Sequence, residues 1–304
     1  MVRWLVVGIL AVSLGWVYRH YWLARPVGRG PAGPAVPREP FDHVWMDRPV
    51  LLLGIGDSVT AGLGASRAEL SYFARLVNNP PHDDPSIDDL CLGRVLPQLE
   101  TLNRAVSGSN SLQHLEVVEQ LPEQSPATFG LVVLTTGGND LIHWYGRTTP
   151  REGAMYGATW QQAQPWIKSF EQRLGRMLDL LAARFPGGCQ IFLGDIYDPT
   201  DGLGDAPSVF LPHWPDGLAI HAAYNAVIRR CAERREWVHC VPIHATFLGH
   251  GSHCTQFWRP HYCAEDPHYW YYSNIEDPND RGYDALRRVF LNEIARVLAP
   301  VSSQ

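Results

Sequence analysis

Short apolar runs alternate with helical patterns from Val50 to the end of the chain, and this alternation restricts the fold more than any other feature. The candidate strands are Leu-rich or β-branched and apolar on both faces: residues 50–55, 99–105, 130–136, 190–196 and 237–243. The candidate helices span residues 66–77, 111–119, 160–185, 218–235 and 280–298. Strands of this kind belong in a parallel sheet with helices on both faces. The pattern therefore predicts one α/β domain with a mostly parallel five-stranded sheet.

Composition and charge narrow the class of protein. The chain has 304 residues, of which 45% are hydrophobic and 18% charged, as expected for a folded domain with a large core. The formal net charge is −6 and the basic residues are scattered, which argues against a nucleic-acid partner. No two of the six cysteines have the C-x-x-C spacing of a zinc or redox site, so neither a metal nor a cofactor is predicted.

The N-terminal residues 1–24 differ from the rest of the chain. Residues 4–18 carry no charge and lie between Arg3 and Arg19. We expect an uncleaved membrane anchor, with a cleaved signal peptide or a soluble apolar helix as alternatives. A Pro- and Gly-rich linker should follow at residues 25–40, and the catalytic domain should span residues 41–304.

Two features of the sequence indicate opposite sides of the membrane for the folded domain. An even cysteine count permits disulfides, first of all Cys254 with Cys263, and an extracytoplasmic domain. Free buried thiols explain these cysteines equally well. Arginines after the apolar segment favour the cytoplasmic side instead, and cleavage would give a secreted protein.

Polar or glycine-rich turns follow the first three candidate strands. Ser58 comes directly after the first, Gly108 follows the second and Asn139 the third. The carboxyl ends of parallel strands meet at one edge of a sheet, where ligands bind. Two backbone N–H groups and one side-chain amide would converge there, which suits the stabilisation of an oxyanion beside a serine nucleophile. An isolated GDS would be only a turn with a capping serine, but three such turns in order favour catalysis.

These motifs resemble those of the SGNH, or GDSL-type, hydrolases. The matching pieces are GDSVTAG with Ser58, NRAVSG with Gly108 and GGND with Asn139. The resemblance implies a flavodoxin-like three-layer αβα sandwich that hydrolyses esters or thioesters. It also implies that Ser58 is the nucleophile and first oxyanion donor, Gly108 the second donor and Asn139 the third.

The fourth motif departs from the family pattern Asp-x-x-His-Pro-Asn-x-x-Gly-Tyr. The chain has NIEDPNDRGY, so that Asp277 stands where the basic histidine is expected. An unperturbed carboxylate is a much weaker base than imidazole. Upstream, His268 lies near two carboxylates, Glu265 and Asp266, either of which would orient its ring.

We therefore predict His268 as the base. The alternatives are another histidine of the same loop or no working base, the other histidines being His250, His253 and His261.

The sequence predicts a serine esterase that acts on a small-molecule, glycan or lipid ester. One rival is a catalytically impaired domain that binds carbohydrate or lipid, and the other is an acyltransferase.

Overall fold

Five parallel strands in the order β2-β1-β3-β4-β5 form the centre of the molecule. The structure is a computed structural model that describes residues 2–300, so the ends of the predicted range 1–304 lie outside the described residues. The strands are β1 (Val50–Ile55), β2 (Leu99–Asn103), β3 (Phe129–Thr135), β4 (Cys189–Gly194) and β5 (Val238–Val241). The α-helices are α1 (Val2–Tyr18), α2 (Ser58–Ala61), α3 (Tyr72–Val77), α4 (Leu92–Val95), α5 (Ser111–Glu119), α6 (Gly138–Ile142), α7 (Trp160–Ala183), α8 (Gly217–Glu233), α9 (Ile243–Phe247) and α10 (Asp280–Leu298).

Helices cover both faces of the sheet, which confirms the predicted three-layer αβα fold. Alternate residues of a strand point to opposite faces. Leu53 and Val132 accordingly pack with α5, α7 and α8, whereas Leu52 and Leu131 pack with α3 and α10. β1 and β3 are buried along their whole length. This arrangement directs the carboxyl ends of β1, β3 and β4 to the same edge.

The edge strand β2 differs from its prediction. Its residues Glu100 and Thr101 are exposed, because only one side of β2 is paired with a neighbouring strand and its outer surface faces solvent. The prediction that every strand is apolar and buried on both faces is therefore wrong for β2.

The N-terminal helix requires a second correction. Among residues 2–300, no helix combines the length and the apolar character needed to cross a bilayer. The prediction of a domain held at the membrane by an N-terminal anchor is therefore wrong. All six cysteines, including Cys254 and Cys263, are free thiols.

Residues 25–40 lie along the last helix. The Ala32 backbone N–H donates to the Asp284 carboxylate at 3.0 Å, and the Arg281 guanidinium donates to the Arg29 carbonyl at 3.1 Å. Ala32 and Val36 are buried in the core on this side of the sheet. The segment that the sequence describes as a linker is thus joined to α10 by hydrogen bonds and by apolar contacts.

Candidate active site

A cavity of 560 Å³ lies beyond the carboxyl ends of β1, β3 and β4. Ser58 and Asn139 line it, together with Asp195, which directly follows β4. Much of the remaining wall is apolar and comes from Val59, Leu141, Ile142, Ile196, Leu211, Trp214, Leu218, Ile243 and Ile275. This is the place in an open parallel sheet where a ligand is expected.

Ser58 is the first residue of the short helix α2 and is half-buried at the cavity. The Asp57 carboxylate caps the helix by accepting the Val59 backbone N–H at 3.1 Å. As the first helical residue, Ser58 has a backbone N–H without an intrahelical acceptor. Gly56 makes the sharp turn from strand to helix, because a Cβ there would lie 2.5 Å from the Thr135 hydroxyl. The turn therefore directs both the hydroxyl and the backbone N–H of Ser58 outward from the sheet.

The second and third predicted donors lie in adjoining loops. Gly108 has φ +79, a left-handed conformation suited to glycine, in an exposed turn after β2. The Asn139 side chain is buried in α6, and its Nδ2 donates to the Ser109 carbonyl at 2.8 Å. An amide nitrogen carries two hydrogens, so one N–H of Asn139 is left for a ligand. Gly108 does not itself line the cavity, but its neighbour Ser109 is bonded to a residue that does.

Asp277 is an acidic residue that lies beside Ser58. Its side chain is buried, and Oδ2 accepts a hydrogen bond from Asn274 Nδ2 at 2.5 Å. Oδ1 accepts no hydrogen bond of regular geometry from residues 2–300, although the Ser58 hydroxyl is close enough to lower the pKa of this carboxyl. Burial is the larger effect, and the pKa of Asp277 is raised overall. The Asp277 carboxyl thus lies beside the Ser58 hydroxyl, and its buried Oδ1 has no regular hydrogen-bond partner among residues 2–300.

A second carboxyl, that of Asp57, lies close to Asp277. Burial raises the pKa of Asp57 to about 7, against the opposing effect of the Thr135 hydroxyl, which donates to it at 3.0 Å. The negative charge of Asp277 raises this pKa further. The two acids therefore disfavour each other's ionisation around Ser58.

The segment that carries Asp277 is held by two tyrosines. The Tyr145 hydroxyl donates to the Glu276 carboxylate, and the Tyr197 hydroxyl donates to the Glu276 carbonyl. Tyr145 and its neighbour Trp144 both have positive φ, which is uncommon for such residues. The site is thus bounded by a strained turn after α6 and by the segment before α10.

His268 lies in a different environment from Ser58. Its Nδ1 pairs with Asp266 Oδ1 at 2.5 Å, as expected for an oriented histidine, and Asp266 also accepts a hydrogen bond from Arg281. The ring is not part of the cavity wall but lies against Gly28, where a Cβ would come within 2.5 Å of it. Glu265 is exposed and its contact is with Cys263. The structure therefore joins Asp266 to His268 but does not bring this pair, or Glu265, to the cavity.

The alternative bases also lie elsewhere. His250 stacks on Trp270, and His253 pairs with Asp205 at 3.0 Å. His261 is exposed and lies outside the cavity lining. Among the described lining residues the histidine is His221, on α8, which the sequence analysis missed. Its Nε2 is 2.8 Å from the Ile196 carbonyl.

The fold and this strand-end cavity define a three-layer αβα protein with a ligand-binding cleft at the carboxyl edge of its sheet. A model of the GDSL-like Lipase/Acylhydrolase family matches residues 55–285, and the chain belongs to this family. The resemblance inferred from the sequence is confirmed, and family membership supports ester hydrolase activity. A search of curated proteins finds no match to the chain.

Two solved structures show similar folds. An extracellular lipase from Streptomyces rimosus is 18% identical with a TM-score of 0.54, over 81% of this chain and 99% of the lipase. A variant of an acetyl xylan esterase from Geobacillus stearothermophilus is 19% identical with a TM-score of 0.51, over 86% of this chain and 100% of the esterase. At these identities the likeness concerns the fold alone.

Proposed function

We propose that the protein is a serine ester hydrolase in which Ser58 is the nucleophile and Asp277 the general base. The observation that supports this assignment most is the position of the buried Asp277 carboxyl beside the Ser58 hydroxyl, with an Oδ1 that lacks a regular hydrogen-bond partner among the described residues. Burial makes this carboxylate more basic than an exposed one, because its pKa is raised. His268, the base predicted from sequence, lies outside the cavity.

The proposed reaction has two halves. The Ser58 oxygen attacks the ester carbonyl carbon while its proton passes to Asp277. Backbone N–H groups of Ser58 and Gly108 and the Asn139 amide stabilise the resulting oxyanion. The intermediate collapses to an acyl-enzyme, and Asp277 returns the proton to the leaving alcohol. Asp277 then takes a proton from water, which attacks the acyl-enzyme, and returns that proton to the Ser58 oxygen as the acid is released.

The cavity favours an ester with an apolar acyl group. Residues from several separate segments, among them Ile142, Leu211 and Ile275, supply the apolar wall. Each buried methylene contributes about 0.8 kcal/mol, equivalent to roughly a fourfold gain in kcat/KM. We expect kcat/KM for p-nitrophenyl esters to rise from acetate to octanoate. A preference for acetate would instead indicate a short acyl group with the specificity in the alcohol.

A fluorophosphonate probe tests the nucleophile and the base together. The wild-type protein should be labelled and Ser58→Ala should not. Asp277→Asn removes the proton acceptor with little change of shape, so labelling should slow by at least about 100-fold. His268→Asn is the matched control and should be labelled at the wild-type rate. Fast labelling of Asp277→Asn together with slow labelling of His268→Asn would contradict Asp277 as the base.

A binding protein without catalysis is the second candidate, because Asp277 replaces the histidine of the family pattern. It would be favoured if the wild-type protein were not labelled but still bound an ester or its acid product. Transfer of the acyl group to another alcohol uses the same acyl-enzyme. Product analysis with methanol as a competing acceptor would separate transfer from hydrolysis.

A further inference from the structure

A buried histidine on α5 connects two loops of the proposed oxyanion hole. His114 Nε2 is 2.7 Å from the hydroxyl of Ser109, the residue after Gly108. His114 Nδ1 is 2.8 Å from the hydroxyl of Thr136, which directly follows β3. The side chain is only 2% exposed and does not line the cavity. The proposed reaction does not use it.

The hydrogen bonds around Ser109 determine which nitrogen of His114 carries the proton. The Ser109 hydroxyl lies 2.6 Å from the Val106 carbonyl and 3.2 Å from the Gly56 carbonyl, both of which only accept. A hydroxyl has one hydrogen to donate, so the contact with His114 must be a donation from Nε2–H.

The charge of the ring determines whether the second nitrogen, Nδ1, carries a proton. Burial lowers the pKa of His114 to about 4, so the ring is neutral at neutral pH. Nδ1 then carries no hydrogen and accepts the Thr136 hydroxyl.

We propose that His114 is a positioning residue whose Nε2–H tautomer fixes the Gly108 loop against the end of β3, so that Gly108 and Asn139 donate to the same point. The inference rests on the proposed function, since it assigns both residues to the oxyanion hole. Asn139 is itself bonded to the Ser109 carbonyl at 2.8 Å. Ser109 is thus the residue through which His114 orients both donors.

The loop has few other restraints. No described atom lies within 4 Å of the position that a Cβ on Gly108 would take. Besides the contacts of Ser109 given above, residues 106–109 are tied to the turn before Ser58 by the Val106 N–H, which donates to the Gly56 carbonyl at 2.9 Å. Loss of the His114 contact would therefore release the loop while leaving the sheet intact.

Two variants of His114 separate positioning from simple packing. The side-chain nitrogen of Gln reaches the place of Nε2, so His114→Gln keeps a donor to Ser109. Asn reaches only the place of Nδ1, so His114→Asn keeps an acceptor for Thr136 and loses that donor. In His114→Asn, kcat should fall about 10- to 100-fold with KM changed less than twofold, because the oxyanion donors are displaced. His114→Gln should stay within about threefold of wild type.

Matched controls complete the design. His239, on β5, is a half-buried histidine that is hydrogen-bonded to Gln190 outside the cavity, so His239→Asn should leave kcat unchanged. Ser109→Ala should lower kcat as His114→Asn does. The loss of kcat in the double variant should be smaller than the product of the two single losses, since both variants remove the contact between Ser109 and His114. Equal losses of stability in the Asn and Gln variants with unchanged kcat would overturn the proposal.

Two measurements decide the inference without reference to activity. Nitrogen NMR should show His114 as the Nε2–H tautomer, and hydrogen exchange at residues 106–109 should accelerate in His114→Asn but not in His114→Gln. The Nδ1–H tautomer, or unchanged exchange in both variants, would overturn it. If the wild-type protein is not labelled by a fluorophosphonate, the proposed function fails. The tautomer and the exchange rates still decide whether His114 fixes this loop.

Discussion

Asn274 and Asp277 give the site the same net charge that an Asp–His pair would have. In the family pattern the negative charge lies on the aspartate and a neutral histidine faces the serine. Here the neutral Asn274 amide occupies the outer position, and the carboxylate of Asp277 lies beside Ser58. Each arrangement passes from one negative charge to none when it takes up the serine proton. The two arrangements differ only in where the negative charge lies. In this chain the charge is one side chain nearer to Ser58.

The pH dependence of the reaction should reflect this location. Protonation of Asp277 removes the base, so kcat/KM should decrease as the pH falls through the pKa of this carboxyl. Burial raises that pKa, and the acidic limb should therefore lie above the value of about 4 that is usual for aspartate. A pH–rate profile measures the limb, with His268→Asn as the control that should superimpose on it. A limb at or below the ordinary value would contradict the assignment.

Asp57 should make the protein less stable as the pH rises from about 4 to about 7. Its pKa is about 7 in the folded state and near the ordinary value of about 4 in the unfolded state, so the folded state binds the proton more tightly. The stabilisation is fully present below pH ~4 and is lost as the pH rises towards ~7. In this window Asp57 should decrease the free energy of unfolding by up to about 1.4 kcal/mol per pH unit.

Urea unfolding at several pH values in this window checks the expectation. Asp57→Asn keeps an oxygen that can cap α2 but cannot ionise. The slope of its unfolding free energy against pH should therefore be less negative than that of the wild-type protein. Parallel slopes would mean that Asp57 does not titrate in this range.

The sequence located some site residues better than others, for physical reasons. Ser58 and Asn139 follow directly from strands, and parallel strands bring their ends together. His268 was chosen by its distance along the chain, but its loop turns towards Arg281 and the N-terminal segment. Asp277 was within reach of sequence reasoning, because Asn279 caps α10 and thereby fixes the residues just before it.

The strands and helices with clear boundary residues in the sequence are those whose predicted bounds agree best with the structure. β1, α5 and α10 have the predicted bounds, and α5 begins with a capping box at Asn110. α2 and α6 were not predicted, because a single turn is too short to show a helical period. These two short helices carry Ser58 and Asn139, so the site depends on elements that periodicity does not reveal.

A buried arginine, Arg287, fixes helix α10. Removing this side chain should lower the free energy of unfolding substantially. The Arg287 side chain is fully buried and bonded to the carboxylates of Asp83 and Asp284. Arg287→Met would leave the buried Asp83 carboxylate without its arginine partner, whereas Asp284 would keep Arg288, and the variant should reduce the free energy of unfolding by about 3–5 kcal/mol.

The control lies on the same helix. Arg296 pairs with Glu293 but is 62% exposed, so Arg296→Met should cost about 1 kcal/mol or less. Chemical denaturation measures both variants. Similar losses in the two would show that the buried cluster contributes no more than a surface pair.

At the scale of the whole molecule, the N-terminal segment is attached to α10. A variant without residues 2–40 would lose the burial of Val36 and leave the Arg281 guanidinium without the Arg29 carbonyl. Its free energy of unfolding should fall by at least about 3 kcal/mol. A variant without residues 2–18 removes only the exposed helix α1 and should unfold as the full chain does. Equal stability of the two variants would show that residues 25–40 do not contribute.

The contact between residues 25–40 and α10 also affects the order in which the protein folds. Residues 25–40 are synthesised long before the helix that they lie against, Asp280–Leu298. Asp277, which lies just before that helix, is likewise synthesised long after Ser58. Contacts between such distant parts of a chain are slow to form, as are parallel strand pairs. A nascent chain on the ribosome would therefore contain Ser58 long before this residue could react. The moment at which Ser58 first becomes labelled by a fluorophosphonate would then report when the final step of folding occurs.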